Sequence, residues 1–202
     1  YALFFTPSTT LLLSQSTMKR LLLTALCLSS TVAFANDQVL LETPITYLPE
    51  AGVVQSVKDE CQIESMLARR VGDVLRKTEK SDNVTIAAGA SAGDAKVLRL
   101  QISHVLGVGG GAWTGPKAIT VVASLLDGGK VVRQTKINRW TTGGMWGGFK
   151  GTCSILERSA VAIGKDLSRW VRDPSYAIKN EDPPAEAASA PAAETASTAK
   201  QQ

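Results

Sequence analysis

Apolar residues recur with two different periods along the chain, and the change of period marks the predicted elements. They fall on every second residue from Leu98 to Leu106, with His104 at one of these positions, but on every third or fourth residue from Ile63 to Leu75. The first period is that of a half-buried strand, and the second is that of an amphipathic helix. A second stretch with the helical period begins at Leu156. The chain therefore contains both kinds of element.

Strands are predicted over residues 39–48, 84–87, 97–108, 117–126 and 130–141. Glycines at 128 and 129 favour a tight hairpin turn between the last two of these strands. Pro44 and Pro49 place the first strand at a sheet edge, because proline cannot donate to a ladder.

Two helices are predicted, each with a serine at its start. One begins at Ser56 as its N-cap and ends near residue 80, and the other begins at a capping box formed by Ser154 and Glu157. Pro174 ends the second helix. The order β-α-β-β-β-β-α predicts an α+β fold, a two-layer sandwich in which two helices cover one face of a mixed sheet of about four to five strands.

Composition divides the chain into four parts. Residues 1–17 precede Met18 and are expected to be upstream sequence from a start site placed too early. Residues 18–35 have the basic start, apolar stretch and small-x-small end of a secretory signal peptide, which predicts cleavage and a periplasmic location. Residues 36–172 are predicted to form a single domain. Residues 173–202, rich in Ala, Pro and Glu, are predicted to be disordered.

Two alternatives to signal cleavage stay open. An uncleaved anchor would run over residues 3–34, but it would place Lys19 and Arg20 inside the bilayer at a high cost. Lipoprotein processing would use Cys27, although Leu26 stands before it where a small residue is needed.

Export to an oxidising compartment would allow Cys61 and Cys153, the two cysteines after the leader, to form a disulfide. Their Cα atoms must then lie within ~7 Å of each other. The two helix starts would be neighbours, and the helices would run parallel on one face of the sheet. The strands over 39–48 and 97–108 would also be parallel, with the 84–87 strand crossing over to join them. The alternative is two reduced thiols that pack as small hydrophobic groups.

Charge separates the domain from its tail. Residues 36–172 carry 18 Lys and Arg against 13 Asp and Glu, whereas residues 173–202 carry two against five. A modest positive charge is compatible with weak contact to anionic lipid or cell-wall surfaces. Nucleic acid is not an expected partner in this compartment.

No residue pattern reaches a catalytic, metal or cofactor signature, so we expect no enzyme activity, no metal and no cofactor. Residues 107–112 fit a dinucleotide-binding pattern by letter, but a β-branched strand follows where that fingerprint requires a helix. His104 is the only histidine and lies among the apolar positions of its strand. The chain also has no predicted nucleophile elbow, the strand-to-helix turn that a serine hydrolase of that kind would need. An envelope hydrolase or a small-ligand-binding protein that uses His104 is the alternative function.

Two loops rich in glycine and aromatic residues form the candidate functional surface. They follow two strands that point the same way, so both are predicted at one edge of the sheet. The candidate partner-binding residues are Trp113, Trp140, Met145, Trp146, Phe149 and Lys150. The Trp and Phe side chains among them offer large contact area at low entropic cost, and this surface would dock an envelope protein, a membrane interface, a glycan or a second copy of the chain. The alternative is that these aromatic rings pack back onto the ends of the sheet and helices.

The domain resembles a proteobacterial family known as domain of unknown function 4410. The resemblance covers roughly residues 53–172 and rests on the first helix, the glycine run that ends the stretch 98–111, the stretch 120–127, Val131-Val132, the second glycine cluster and the closing helix. It implies a fold similar to the N-terminal domain of the Tol system's propeller protein and to curli-secretion lipoproteins. It also implies a role in envelope assembly or scaffolding rather than catalysis. Members are often lipoproteins, whereas this chain lacks a proper lipidation site.

Overall fold

The computed structural model describes residues 38–107, 116–141 and 151–182, and these contain six strands and three helices. The strands are β1 (Val39–Thr43), β2 (Thr46–Val53), β3 (Thr85–Ala87), β4 (Lys96–Leu106), β5 (Lys117–Asp127) and β6 (Lys130–Thr141). The helices are α1 (Gln55–Cys61), α2 (Ile63–Glu79) and α3 (Thr152–Arg172). The predicted α+β class is confirmed, with one more strand and one more helix than the predicted order contained.

The sheet is mixed and has the strand order β3-β1-β4-β5-β6, with β2 also paired to β4. β1 runs parallel to both β3 and β4, as predicted, while β4, β5 and β6 are antiparallel neighbours. The first predicted strand is broken at the cis peptide bond before Pro44. Its two parts lie end to end beside β4, since β1 pairs with residues 96–98 and β2 with residues 101–105. The predicted edge position is therefore wrong for β1, which lies inside the sheet, whereas β2, which carries Pro49, pairs with β4 alone among the described strands.

The first predicted helix is also divided in two. α1 ends at Cys61 and α2 begins at Ile63, and Gln62 between them adopts a left-handed conformation with a φ of 44°. The predicted serine caps are wrong. The residue before α1 is Val54, and α3 begins after Gly151, whose carbonyl accepts a hydrogen bond from the Ser154 hydroxyl within the first turn.

The hydrophobic core lies between one face of the sheet and the helices. Fully buried side chains from each layer meet there, among them Leu67, Val71 and Leu75 of α2, Leu156, Ile163 and Leu167 of α3, and Leu98, Ile119 and Val121 of the sheet. α2 and α3 pack closely because Gly164 has no side chain. A Cβ atom at that position would lie 3.2 Å from Val74 Cγ2 and 3.4 Å from the Val71 Cα atom.

The face of the sheet away from the helices is polar. Cross-strand pairs of hydrogen-bonded side chains cover it. Arg99 donates to Glu42, Gln134 donates to Ser124, and Thr120 donates to Asn138. On this face, the longer polar side chains of the neighbouring strands flank the small residues of β5. The central strand β5 is therefore buried on both sides.

Residues 173–182, here named the C-terminal strap, lie along β6. Tyr176 and Ile178 of the strap pack against the core. The Arg133 guanidinium donates hydrogen bonds to the carbonyls of Asp173 and Tyr176, at 3.0 Å and 2.6 Å. Composition placed this segment in the disordered tail, so the structure extends the packed part of the chain beyond residue 172. Residues 183–202 lie outside the described ranges.

The predicted signal peptide and the residues before it lie outside the described ranges as well. Among the described helices, none is long and apolar enough to cross a membrane.

Candidate functional site

The strand register brings the two glycine-rich loops to one edge of the sheet. Leu106 pairs with Ala118, which pairs in turn with Trp140, and Lys117 pairs with Thr141. The chain therefore leaves β4, enters β5 and leaves β6 at the same level. We name this end of the sheet the loop-bearing edge, and the register confirms that both loops share it.

Of the six predicted partner-binding residues, the structure describes only Trp140. The other five, Trp113, Met145, Trp146, Phe149 and Lys150, lie in the two loops outside the described ranges. What the structure describes is therefore the base on which the loops stand, and it does not test the loop side chains themselves.

Trp140 occupies the open face of the sheet, next to Ala118. It is half-buried, and its backbone N–H donates to Glu181 Oε2 of the strap at 2.9 Å. Its indole Nε1–H is buried and has no hydrogen-bond acceptor among the described residues. A buried donor of this kind is costly unless a partner satisfies it.

A disulfide joins Cys61 of α1 to Cys153 of α3, with their Cα atoms 5.0 Å apart. It places the start of α3 beside the end of α1, at the loop-bearing edge. α1 also packs on the end of β4, because a Cβ atom on Gly107 would lie only 2.5 Å from Val57 Cγ1. Glycine at 107 is thus required by close packing as the first loop begins.

A second set of contacts fixes α1 on its other side. The Tyr47 hydroxyl of β2 donates to Glu64 Oε2 of α2 at 3.1 Å. The Lys58 ammonium of α1 lies 4.3 Å from the centre of the Tyr47 ring, a cation–π contact. Burial, together with the Glu64 carboxylate, raises the pKa of the Tyr47 phenol. The phenol therefore stays protonated and continues to donate.

Lys117 is a buried cation at the start of β5, and sequence reasoning did not single it out. Its side chain is fully buried, and burial lowers the pKa of its ammonium group. Lys117 lies on the same face of β5 as Ile119 and Val121, so it occupies a core position. The alternation of residues along β5 was the feature of the sequence that could have predicted this burial. Next to it, the Thr141 and Ser159 hydroxyls share a hydrogen bond of 2.9 Å that links β6 to α3.

The predicted environment of His104 is wrong. A bulge in β4 between Ile102 and His104 shifts the pairing with β5, so that the side chain phase reverses. His104 is exposed on the open face, and Val105 takes the buried position instead. The imidazole stands against β2, where a Cβ atom on Gly52 would lie 2.5 Å from His104 Nδ1.

An arginine-centred cluster beside the loop-bearing edge was also missed. Arg139 is 7% exposed and donates to Asp166 Oδ2 of α3 at 2.6 Å. The same guanidinium donates to the Lys179 carbonyl of the strap at 2.8 Å. The cluster thus joins β6, α3 and the strap. Within the described residues, no group of three or more His, Cys, Asp or Glu side chains could hold a metal ion.

Comparison with known proteins gives remote structural matches. A PelC dodecamer from Paraburkholderia phytofirmans is 19% identical, with 63% of this chain and 85% of that chain covered and a TM-score of 0.40. A Xanthomonas campestris protein of the family called domain of unknown function 330 is 16% identical, with 66% and 82% covered and a TM-score of 0.39. A Caulobacter crescentus protein described as a candidate lipoprotein is 18% identical, with 55% and 84% covered and a TM-score of 0.33.

No protein-family model and no curated protein sequence matches the chain. The resemblance to domain of unknown function 4410 therefore stays a prediction. The disulfide is the firmest indication of location, since such bonds persist mainly in extracytoplasmic compartments.

Proposed function

We propose that this protein is a non-enzymatic binding domain of the bacterial cell envelope, in the periplasm, and that it docks a protein partner through the loop-bearing edge. The observation that carries the proposal is the register of β4, β5 and β6, which brings the strand ends that carry the two aromatic loops to one edge of the sheet. Loops that start from one edge are near enough for a single partner to contact both.

The base of this surface is rigid. The disulfide, the hydrogen bond between Thr141 and Ser159, and the contact of Gly107 with Val57 all lie beneath the loops. Binding loops on a rigid frame lose less conformational entropy when a partner docks. This arrangement supports recognition by the loop residues, with Trp113 and Trp146 as the expected anchors.

The test places a photo-crosslinking amino acid at Phe149 in the full chain, in cells, with and without Trp113→Ala and Trp146→Ala. We expect a defined protein adduct from Phe149 that disappears in the double variant. A matched probe at Lys136, which is exposed on the open face, should give no such adduct. An adduct that survives both tryptophan substitutions would contradict the proposal.

The double variant also separates the proposal from core packing. If its melting transition is unchanged, the two tryptophans are free to serve a partner. If the domain unfolds, the aromatic rings belong to the core and the docking surface is lost.

The alternative, an envelope hydrolase or small-ligand-binding protein that uses His104, makes a different prediction. The exposed imidazole beside Gly52 is the feature that would serve it. His104→Ala should leave the Phe149 adduct unchanged under our proposal. Loss of a small-molecule-dependent shift in melting temperature in that variant would instead favour the alternative.

A further inference from the structure

The positive charge of the domain is concentrated in its second half. Residues 38–107 carry eight Lys and Arg against nine Asp and Glu, whereas residues 116–172 carry ten against three. Four of those ten cations and two of the three acids lie on α3.

Four cations form one line along α3. Arg158, Lys165, Arg169 and Arg172 are all exposed, and their spacings of seven, four and three residues place them within an arc of about 60° on the helix. We name this line the α3 basic stripe. It is about 21 Å long at the rise of an α-helix, and it lies opposite the buried side of α3.

Asp173, the residue after Arg172, accepts two hydrogen bonds from Ser175, and three other acids near the α3 basic stripe are also engaged. Glu157 of α3 is paired with Arg70 of α2, and Asp166 is paired with Arg139 of β6. Glu181 of the strap lines the shallow groove beside Lys165 but accepts the Trp140 backbone N–H.

Lys165, Arg169 and Arg172 therefore keep their charge. Among the described residues, no acid forms an ion pair with Lys165, Arg169 or Arg172. The positions between them carry small or neutral side chains, Val161, Ala162 and Ser168, so that a flat surface can approach the stripe closely.

We infer that the α3 basic stripe is a contact surface for the anionic headgroups of a phospholipid bilayer. A straight, solvent-facing row of cations without interleaved acids is complementary to such a plane, along which negative charges are closely and uniformly spaced. The contact is electrostatic and peripheral. It is independent of the proposed docking at the loop-bearing edge, and it explains how an envelope domain could be held near a membrane by its own folded surface.

The test uses the full chain with vesicles of phosphatidylcholine, with and without phosphatidylglycerol. We expect binding only to the vesicles that contain phosphatidylglycerol, and we expect it to weaken as salt is added. The triple variant Lys165→Gln, Arg169→Gln and Arg172→Gln should partition roughly a hundredfold less, at roughly fivefold for each cation lost.

A matched control removes the same charge from elsewhere. The variant Lys77→Gln, Lys130→Gln and Lys136→Gln neutralises three exposed cations on α2 and β6, and it should partition far more strongly than the stripe variant. Equal losses in the two triple variants would overturn the inference, because net charge alone would then account for binding.

Two other outcomes would also overturn it. One is the absence of vesicle binding at low salt. The other is binding of the stripe to soluble dextran sulfate without binding to vesicles, which would assign the stripe to an anionic polymer. Trp113→Ala with Trp146→Ala should leave vesicle binding unchanged, so this inference and the proposed docking surface can fail separately.

Discussion

Two regions of this domain are fastened by different chemistry. At the loop-bearing edge, a disulfide covalently joins α1 to α3. Along β6, the strap is fastened by guanidinium groups, since Arg133 and Arg139 donate to its backbone carbonyls. A covalent bond is not screened by salt, whereas hydrogen bonds from a charged donor are weakened by it. The comparison teaches that the base under the loops is the more rigid region and that the strap is the region expected to open first.

Removing the disulfide tests the first region and should have the largest effect. The bond closes a loop with a sequence separation of 92, for which chain entropy predicts a stabilisation of about 4–5 kcal/mol. Cys61→Ser with Cys153→Ser should lower the free energy of unfolding by up to that amount in a denaturant titration. Wild-type protein under reducing conditions is the control and should behave alike. A loss below about 1 kcal/mol would show that the edge is held mainly by packing.

Arg139 tests the second region. Arg139→Leu leaves the carboxylate of Asp166 and the Lys179 carbonyl without their donor, and we expect a loss of about 3 kcal/mol. Adding Asp166→Leu should recover much of that loss, because the unpaired carboxylate is then gone. Wild type, Arg139→Leu, Asp166→Leu and the double variant form a double-mutant cycle, measured by thermal or chemical unfolding. A coupling energy near zero would mean that the pair does not hold α3 to β6.

The helix and strand periods predicted most of the first region. Two cysteines, one near the start of each predicted helix, were enough to predict parallel helices and a parallel first strand. Both are present, since Arg70 of α2 pairs with Glu157 of α3 while Val74, further along α2, packs on Gly164. What escaped prediction is local. A single extra residue in β4 moved His104 to the other face, and a left-handed Gln62 divided one helix into two. Neither position carries a glycine or proline that would have marked it.

The second region was harder to predict because its polar residues occupy strand positions that face the core. Arg133 has exposed neighbours and Arg139 has half-buried ones, and both arginines alternate with these neighbours as they would in an ordinary solvated strand. Their partners are backbone carbonyls in a segment whose composition favours disorder. Contacts of a side chain with a distant backbone leave no periodic signal in the sequence. Strand direction was therefore enough to locate the candidate site, whereas the contacts beneath it could be seen only in the three-dimensional structure.

A milder change sharpens the comparison at the strap. Asn180 Oδ1 accepts the outward N–H of Asn138 at 3.0 Å, and Glu181 accepts that of Trp140. Asn180→Ala with Glu181→Ala should cost about 1 kcal/mol in total, while hydrogen exchange at these two amides becomes faster. The amide of Ile137 is the internal control, because alternate residues of β6 point toward β5. Unchanged exchange at Asn138 would contradict strap protection of this edge.

The smallest effect concerns the link between the two helices. The Arg70 guanidinium, with a lesser contribution from Arg69, holds the pKa of Glu157 below its ordinary value of 4.5. The native state therefore favours the ionised carboxylate, and this stabilisation is complete above the unfolded pKa and lost as pH falls through the native pKa. Because Glu157 and Arg70 are about one-third exposed, it should not exceed about 1 kcal/mol. The difference in unfolding free energy between wild type and Glu157→Gln should be constant from neutral pH down to about 5 and shrink below 4.5. A Glu157→Gln difference that grows in acid would contradict the assignment.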